Sequence, residues 1–219
     1  MVEIETIPST RKLRQSHHIK RKPASNLYWA VRVAEASSLT LTHSATLNFS
    51  LTACPSRNVS AAFQKLRTNY FGKWARRPAK KSGAHPFVPT YVWVIEAAGD
   101  QVAVHWLVYL PTDRVADFHV RLPTWFTAIA GKLEHGATHV VKAPTPRGAA
   151  AYMLKGTDPI YARFYSYGHT PQGLVHGKRS GFSLNLGPSV KRALGLKPRM
   201  RYSEQQARNI ARQADHHAL

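Results

Sequence analysis

Four side chains carry the chemistry that this sequence can perform. Glu96 ends the run Tyr91-Val-Trp-Val-Ile-Glu96, His105 lies within Val102-Ala-Val-His-Trp-Leu-Val-Tyr-Leu110, and Tyr152 and Lys155 belong to Ala149-Ala-Ala-Tyr-Met-Leu-Lys-Gly156. A carboxylate and an imidazole on one surface can hold a divalent cation between them. A phenol oxygen can attack phosphorus and keep a cut strand covalently attached, while a neighbouring ammonium steadies the phosphate. Such a set is suited to cutting a nucleic acid strand.

The elements that must position these groups can be read from the pattern around them. Gly99-Asp100 turns the first run into the second, and an even-length loop places Glu96 opposite Ala103. Glu96, Ala103 and His105 then share a face, with diagonal neighbours about 7–8 Å apart. The other face presents Val102, Val104, Trp106, Val108 and Leu110 and must meet helices, which leaves the polar pair on the face open to a ligand. Thr145-Pro146 opens a short helix that Gly156 closes, and Tyr152 and Lys155, three apart, project from neighbouring positions on it.

From Leu39 to Ala53 the odd positions are mainly apolar and the even ones Thr, Ser or Asn, the period of a strand or a broken strand pair. Val59, Ala62, Phe63, Leu66, Tyr70 and Trp74 recur at helical spacing behind Ser56 or Asn58, on a segment that also carries Lys65, Arg67, Lys73, Arg76, Arg77, Lys80 and Lys81. Asp113 to Gly131 reads as a helix restarted at Pro123, and Thr138 to Ala143 as a strand. The order strand, helix, strand, strand, helix, strand, with one helix appended, predicts an α+β fold: a ferredoxin-like (βαββαβ) antiparallel sheet with both crossover helices on one face. After Asp158-Pro159 the chain is irregular, basic and rich in glycine and tyrosine. There His176 to Asn185 reads as a phosphate-contacting loop in which Lys178 and Arg179 neutralise charge. Ser203 to Ala214 reads as a final polar helix. One domain, residues 39–190, is expected between a basic N-terminal arm (1–38) and a basic C-terminal tail (191–219).

Composition sets the partner class. Lys and Arg number 31 against 11 Asp and Glu, a formal charge of +20 and a pI near 10.6, which makes nucleic acid the leading partner without specifying an activity. Arg11 to Lys22 holds six cations and no anion, a stretch suited to phosphate contacts. The single cysteine, Cys54, excludes an intrachain disulfide and a Cys-based zinc cluster. No run approaches the roughly 18 apolar residues of a membrane span, and no signal-peptide core is present, so no membrane association and a cytoplasmic location are expected.

At these residues the sequence resembles the HUH-type single-tyrosine endonucleases, the rolling-circle replication initiators and related transposases. Three segments carry the likeness: the alternating strand Leu39 to Ala53, the hairpin from Val92 to Pro111, and the helix with Tyr152-Met-Leu-Lys155. Downstream, Gly177-Lys-Arg179 and Ser183-Leu-Asn-Leu-Gly187 resemble bacterial and phage initiator-like members. The family motif is His, a bulky apolar residue, then His; this chain reads Ala103-Val104-His105, so one imidazole is missing.

The resemblance implies nicking and strand transfer on single-stranded or hairpin DNA through a 5′-phosphotyrosine, in rolling-circle replication or transposition. Tyr152 would be the nucleophile, Lys155 would steady the phosphate, and His105 with Glu96 would hold Mg²⁺ or Mn²⁺. Lys65, Arg67, Lys73, Arg76, Arg77, Lys178, Arg179 and Asn185 would contact the DNA, with Tyr161, Phe164 and Tyr165 available for stacking. Three explanations of Ala103 stay open: another ligand such as His43 or His139, a substitution that traps a complex, or a descendant that binds and regulates without cutting. An RNA-recognition sheet is disfavoured, because the outward face of Val94, Glu96, Ala103, His105, Leu107 and Tyr109 offers only Tyr109 for stacking. The target sequence and oligomeric state are left open.

Overall fold

The alternation in the first strand and the turn at Gly99 resolve into a five-stranded antiparallel sheet. A computed structural model describes residues 14–78, 83–99, 101–162 and 168–196. Along them run β1 (Gln15–Ser16), α1 (Arg21–Ala36), β2 (His43–Asn48) and α2 (Val59–Lys65), which passes through a π turn (Leu66–Phe71) into α3 (Gly72–Ala75). The hairpin β3 (Tyr91–Ala98) and β4 (Gln101–Val108) follows, then α4 (Val115–Ala130), β5 (Thr138–Lys142), α5 (Pro146–Met153) and α6 (Pro159–Ala162). β6 (Val175–His176), β7 (Ser180–Phe182) and α7 (Pro188–Ala193) complete the described chain. The sheet order is β5-β2-β4-β3-β7 with every neighbouring pair antiparallel, an α+β architecture. β1 pairs with β6 in a separate two-stranded ribbon.

Each strand sends alternate side chains to opposite faces. One face carries Ala45, Leu47, Trp93, Ile95, Val104, Trp106 and Val108, all buried against Phe63, Leu66 and Phe71 of the α2–α3 helix and Phe118, Leu122 and Phe126 of α4. Rings here meet edge to face, Phe71 on Trp106 at 4.8 Å and Phe49 on Phe126 at 4.8 Å, a geometry worth about 0.5–1.5 kcal/mol per pair beyond burial. Arg114 is buried in this layer, its guanidinium donating to the carbonyls of Arg77, Ala84 and His85. Glu96 pairs with Ala103 in the register the turn predicts, and Gly99 takes φ +59°, where a side chain is strained.

The second face is not open, which corrects the expected boundary of the domain. Residues 21–36, assigned to a basic arm, form α1, and its Ala24, Leu27, Ala30, Val31 and Ala34 pack with Ala150, Met153 and Leu154 on Val92, Val94 and Leu107. The repeat Leu27, Ala30, Val31, Ala34 is a helical stripe that the cations preceding it obscure. α7 crosses the other expected boundary at 190, and Lys191 lies 3.8 Å above the Trp29 ring of α1. Smaller differences have local causes. β2 ends at Asn48, whose side chain accepts the Ser50 N–H and turns the chain into a short 3-10 helix. Pro123 lies inside an unbroken α4. The expected loop from His176 to Asn185 contributes β7, which extends the sheet beside β3. Among the described residues no helix is long and apolar enough to cross a membrane. Arg11, Lys80, Lys81, Phe164, Tyr165 and the segment from Ser203 to Ala214 lie outside the described residues.

Candidate active site

The four side chains singled out in the sequence meet on the second face. Glu96 on β3 and His105 on β4 approach through Oε2 and Nε2 at 3.2 Å, and Lys155 brings its Nζ to 3.2 Å from the same oxygen. The Tyr152 ring stands perpendicular to the His105 ring at 5.9 Å between centroids, with Lys155 Nζ 3.8 Å from the Tyr152 ring centre. Exposure rises along this set from Glu96, 7 % exposed, to Tyr152, 58 % exposed. The carboxylate forms the floor and the phenol the rim.

Local structure explains the placement. Pro146 lies in the first turn of α5, and the small run Ala149 to Ala151 lets that helix approach the sheet, with Ala150 and Met153 buried. Tyr152 is thereby turned outward over β4. The chain then tightens into a 3-10 turn, Leu154–Gly156, that points Lys155 down at Glu96. Backbone bonds fix this turn: the Ile19 N–H donates to the Gly156 carbonyl at 2.9 Å, and the Thr170 N–H to the Lys155 carbonyl at 3.0 Å. Sequence reasoning missed Thr46, whose Oγ1 lies 3.3 Å from His105 Nδ1 and fixes the imidazole from behind. The polar alternation of β2 carries that signal, because Thr46 is paired directly with His105.

Burial alone would raise the Glu96 carboxyl, but the His105 hydrogen bond and charge and the Lys155 ammonium outweigh it and hold it below its ordinary value of 4.5. Burial alone would lower Lys155, but the Tyr152 side chain and Glu96 outweigh it and raise the ammonium. A lowered carboxyl contributes stability that is present above its unfolded value and lost as pH falls through its folded value. Glu96→Gln is therefore expected to cost on the order of 2 kcal/mol near neutral pH, less than for a fully buried pair because Lys155 keeps some solvent contact. Urea unfolding of both chains should show the difference shrinking as pH falls from 4.5, where the unfolded carboxylate takes up its proton, through the lower value at which the folded one does.

The groups present do not fit Mg²⁺ or Mn²⁺, which seek about six ligands, mostly oxygen, at about 2.1 Å. Among the described residues no group of three or more His, Cys, Asp or Glu side chains could hold a metal ion. Glu96 Oε2 is already held by an ammonium, whose charge repels a second cation. Neither proposed substitute closes the gap. His43 is buried on the opposite face, 6.3 Å from the His119 ring. His139 shares the face but sits on β5, with Thr46 between it and His105.

The expected nucleic-acid residues divide into three groups. Arg67, Arg76, Lys178 and Asn185 line one groove of about 820 Å³, walled by Phe87 and Tyr91. Arg67 stacks 4.6 Å over Trp93 and donates to the Tyr91 hydroxyl at 3.4 Å. Asn185 donates its amide to Thr90 Oγ1 at 2.7 Å. This groove flanks Tyr91, which packs on the first face, about 16 Å along β3 from Glu96 at about 3.3 Å per residue. Lys65 and Lys73 are exposed along the α2–α3 helix and Arg77 just past its end, all outside the groove. Arg179 corrects the expectation made for it. It is 5 % exposed and donates to the carbonyls of Ser16, Gln172 and Gly173, and burial lowers its guanidinium to about 10. It ties three backbone segments together and does not face solvent. Of the aromatics expected to stack, Tyr161 is half-buried with the Arg21 guanidinium 5.7 Å from its ring centre. No protein-family model, curated protein or solved structure matches this chain.

Proposed function

We propose that this chain nicks and rejoins single-stranded or hairpin DNA through a covalent Tyr152 phosphodiester, as in rolling-circle replication or transposition. The observation that carries the proposal is the convergence of an exposed phenol, an ammonium, a half-buried imidazole and a buried carboxylate at one spot on the sheet. The order β5-β2-β4-β3, with both crossover helices packed on the first face, supports a ferredoxin-like reading, and the tyrosine helix follows its fourth strand directly. That placement agrees with the resemblance to HUH-type endonucleases.

In the proposed step the Tyr152 oxygen attacks phosphorus, a P–O(Tyr) bond forms and the P–O3′ bond breaks. The phenol proton passes to solvent, and the departing 3′ oxygen takes one from solvent. The downstream strand is left on Tyr152 by its 5′ phosphate, and a 3′ hydroxyl reverses the exchange when strands are rejoined. Lys155 stabilises charge developing on the phosphate oxygens. Glu96 and His105, the latter held by Thr46, are positioning residues that keep Lys155 beside the phenol.

The basic groove is assigned to the flanking strand. Replacing Arg67 and Lys178 together by alanine is expected to weaken single-strand binding about tenfold at 0.1 M salt and to reduce the salt slope by about 1.4, roughly 0.7 per phosphate contact. Fluorescence anisotropy over a salt series measures both quantities.

One observation favours a second reading, binding and regulation without turnover. Ala103 stands where the family has histidine, so the ligand set falls short. Denaturing electrophoresis of 3′-labelled single-stranded pools separates the two readings. A label that stays with the protein supports strand transfer, whereas tight binding with no retained label across the pool supports the regulator.

A further inference from the structure

We infer that the cation facing the scissile phosphate is the Lys155 ammonium itself, so that strand transfer by this chain needs no bound divalent metal. The inference rests on the reading of Tyr152 as nucleophile and adds what supplies the positive charge. Lys155 Nζ lies 3.2 Å from Glu96 Oε2 and 3.8 Å from the Tyr152 ring centre, between the buried carboxylate and the exposed phenol. A phosphate brought to the phenol oxygen meets this charge first. His105 takes a different part: Nε2 is directed at Glu96 and Nδ1 at Thr46, so the imidazole braces the carboxylate that anchors Lys155. Ala103 belongs to the same arrangement. It pairs with Glu96 across the hairpin and offers no ligand atom, consistent with a site whose cation arrives on a side chain.

The position is also fixed from the backbone. The Leu154–Gly156 turn is bonded to Ile19 and Thr170 and packs closely on Gln172, where a Cβ on Gly156 would come within 2.6 Å of Cγ, so the backbone that carries Lys155 is held in place.

The test has two arms. In the first, Mn²⁺ is titrated into the protein alone and followed by electron paramagnetic resonance and calorimetry. The wild-type chain is expected to show no saturable site up to about 1 mM, whereas the double variant Ala103→His, Lys155→Ala, which restores a ligand and removes the ammonium, should gain one of at least tenfold higher affinity. Stoichiometric Mn²⁺ binding by the wild type that disappears in His105→Ala overturns the inference. In the second arm, adduct formation on single-stranded DNA is compared in EDTA and in Mn²⁺. Rates within about twofold are expected, with a loss of about 10²–10³-fold in Lys155→Ala. An adduct abolished by EDTA overturns the inference and leaves the nicking proposal standing. No adduct in either condition overturns the nicking proposal and, with it, the role assigned to Lys155. A wild-type titration with no saturable site supports the inference without any variant, and the His105→Ala comparison is needed only to place a site that is found.

Discussion

Tyr152→Phe is expected to abolish the covalent DNA adduct, a fall of at least about 10³-fold, while single-strand affinity changes by less than about twofold and stability by less than about 0.5 kcal/mol. The three expectations follow from one geometry. Tyr152 is 58 % exposed, and its ring contacts, edge-on to His105 and face-on to Lys155, survive loss of the hydroxyl. Only the oxygen proposed to attack phosphorus is removed. Adduct yield on a denaturing gel, anisotropy and urea unfolding measure the three quantities separately. A variant that still forms the adduct would place the nucleophile elsewhere, and one that unfolds easily would show that Tyr152 belongs to the packing.

Gly173→Ala is expected to be the most destabilising single-methyl change near the site, costing about 3 kcal/mol or more. Gly173 has φ +60°, and a Cβ there would overlap the carbonyl of Ala97, the residue after Glu96 on β3. The overlap has no easy relief. Ala97 donates its N–H to the Gln172 carbonyl at 2.9 Å, and the Gly173 carbonyl accepts from the buried Arg179. Moving the segment off β3 would therefore strip acceptors from a buried guanidinium as well. Thermal unfolding should fall by about 6–12 °C, taking about 2–4 °C per kcal/mol for a chain of this size. A shift under 2 °C would contradict the close approach of the two backbones.

The sheet was largely legible because its signals are local. The Gly99-Asp100 turn set the hairpin register, and that register put Glu96 opposite Ala103 with His105 on the same face. Alternation over Leu39 to Ala53 located β2, although the end at Asn48 depends on a side-chain cap that alternation does not encode. The roof over the second face was missed because Arg21 and Lys22 give α1 the composition of a tail, while Leu27, Ala30, Val31 and Ala34 behind them carry its helical stripe. Charge also misdirected the reading of Arg179. Its partners are carbonyls of Ser16, Gln172 and Gly173, which only the packing of distant segments brings together, and no local pattern marks a buried arginine.

Lys155 shows the same limit in the site. Its spacing from Tyr152 placed both on neighbouring positions of a helix, and the structure keeps them together. Its contact with Glu96 joins the end of α5 to β3 across the sheet, a pairing set by the depth at which Ala150 and Met153 seat the helix. Small side chains in that run thus decide whether the ammonium reaches the carboxylate. The basic groove follows a similar division. Arg67 and Arg76 come from the helix and Lys178 and Asn185 from the downstream loop, and their meeting beside Phe87 and Tyr91 depends on β7 joining β3.

The most direct test is mass spectrometry of the protein after reaction with single-stranded DNA, nuclease trimming and proteolysis. The proposed chemistry predicts a peptide spanning Tyr152 that carries one nucleotide through a 5′ phosphate on the phenol oxygen. Unmodified Tyr152 in a protein that binds the same DNA tightly, or a nucleotide attached to another residue, would contradict it.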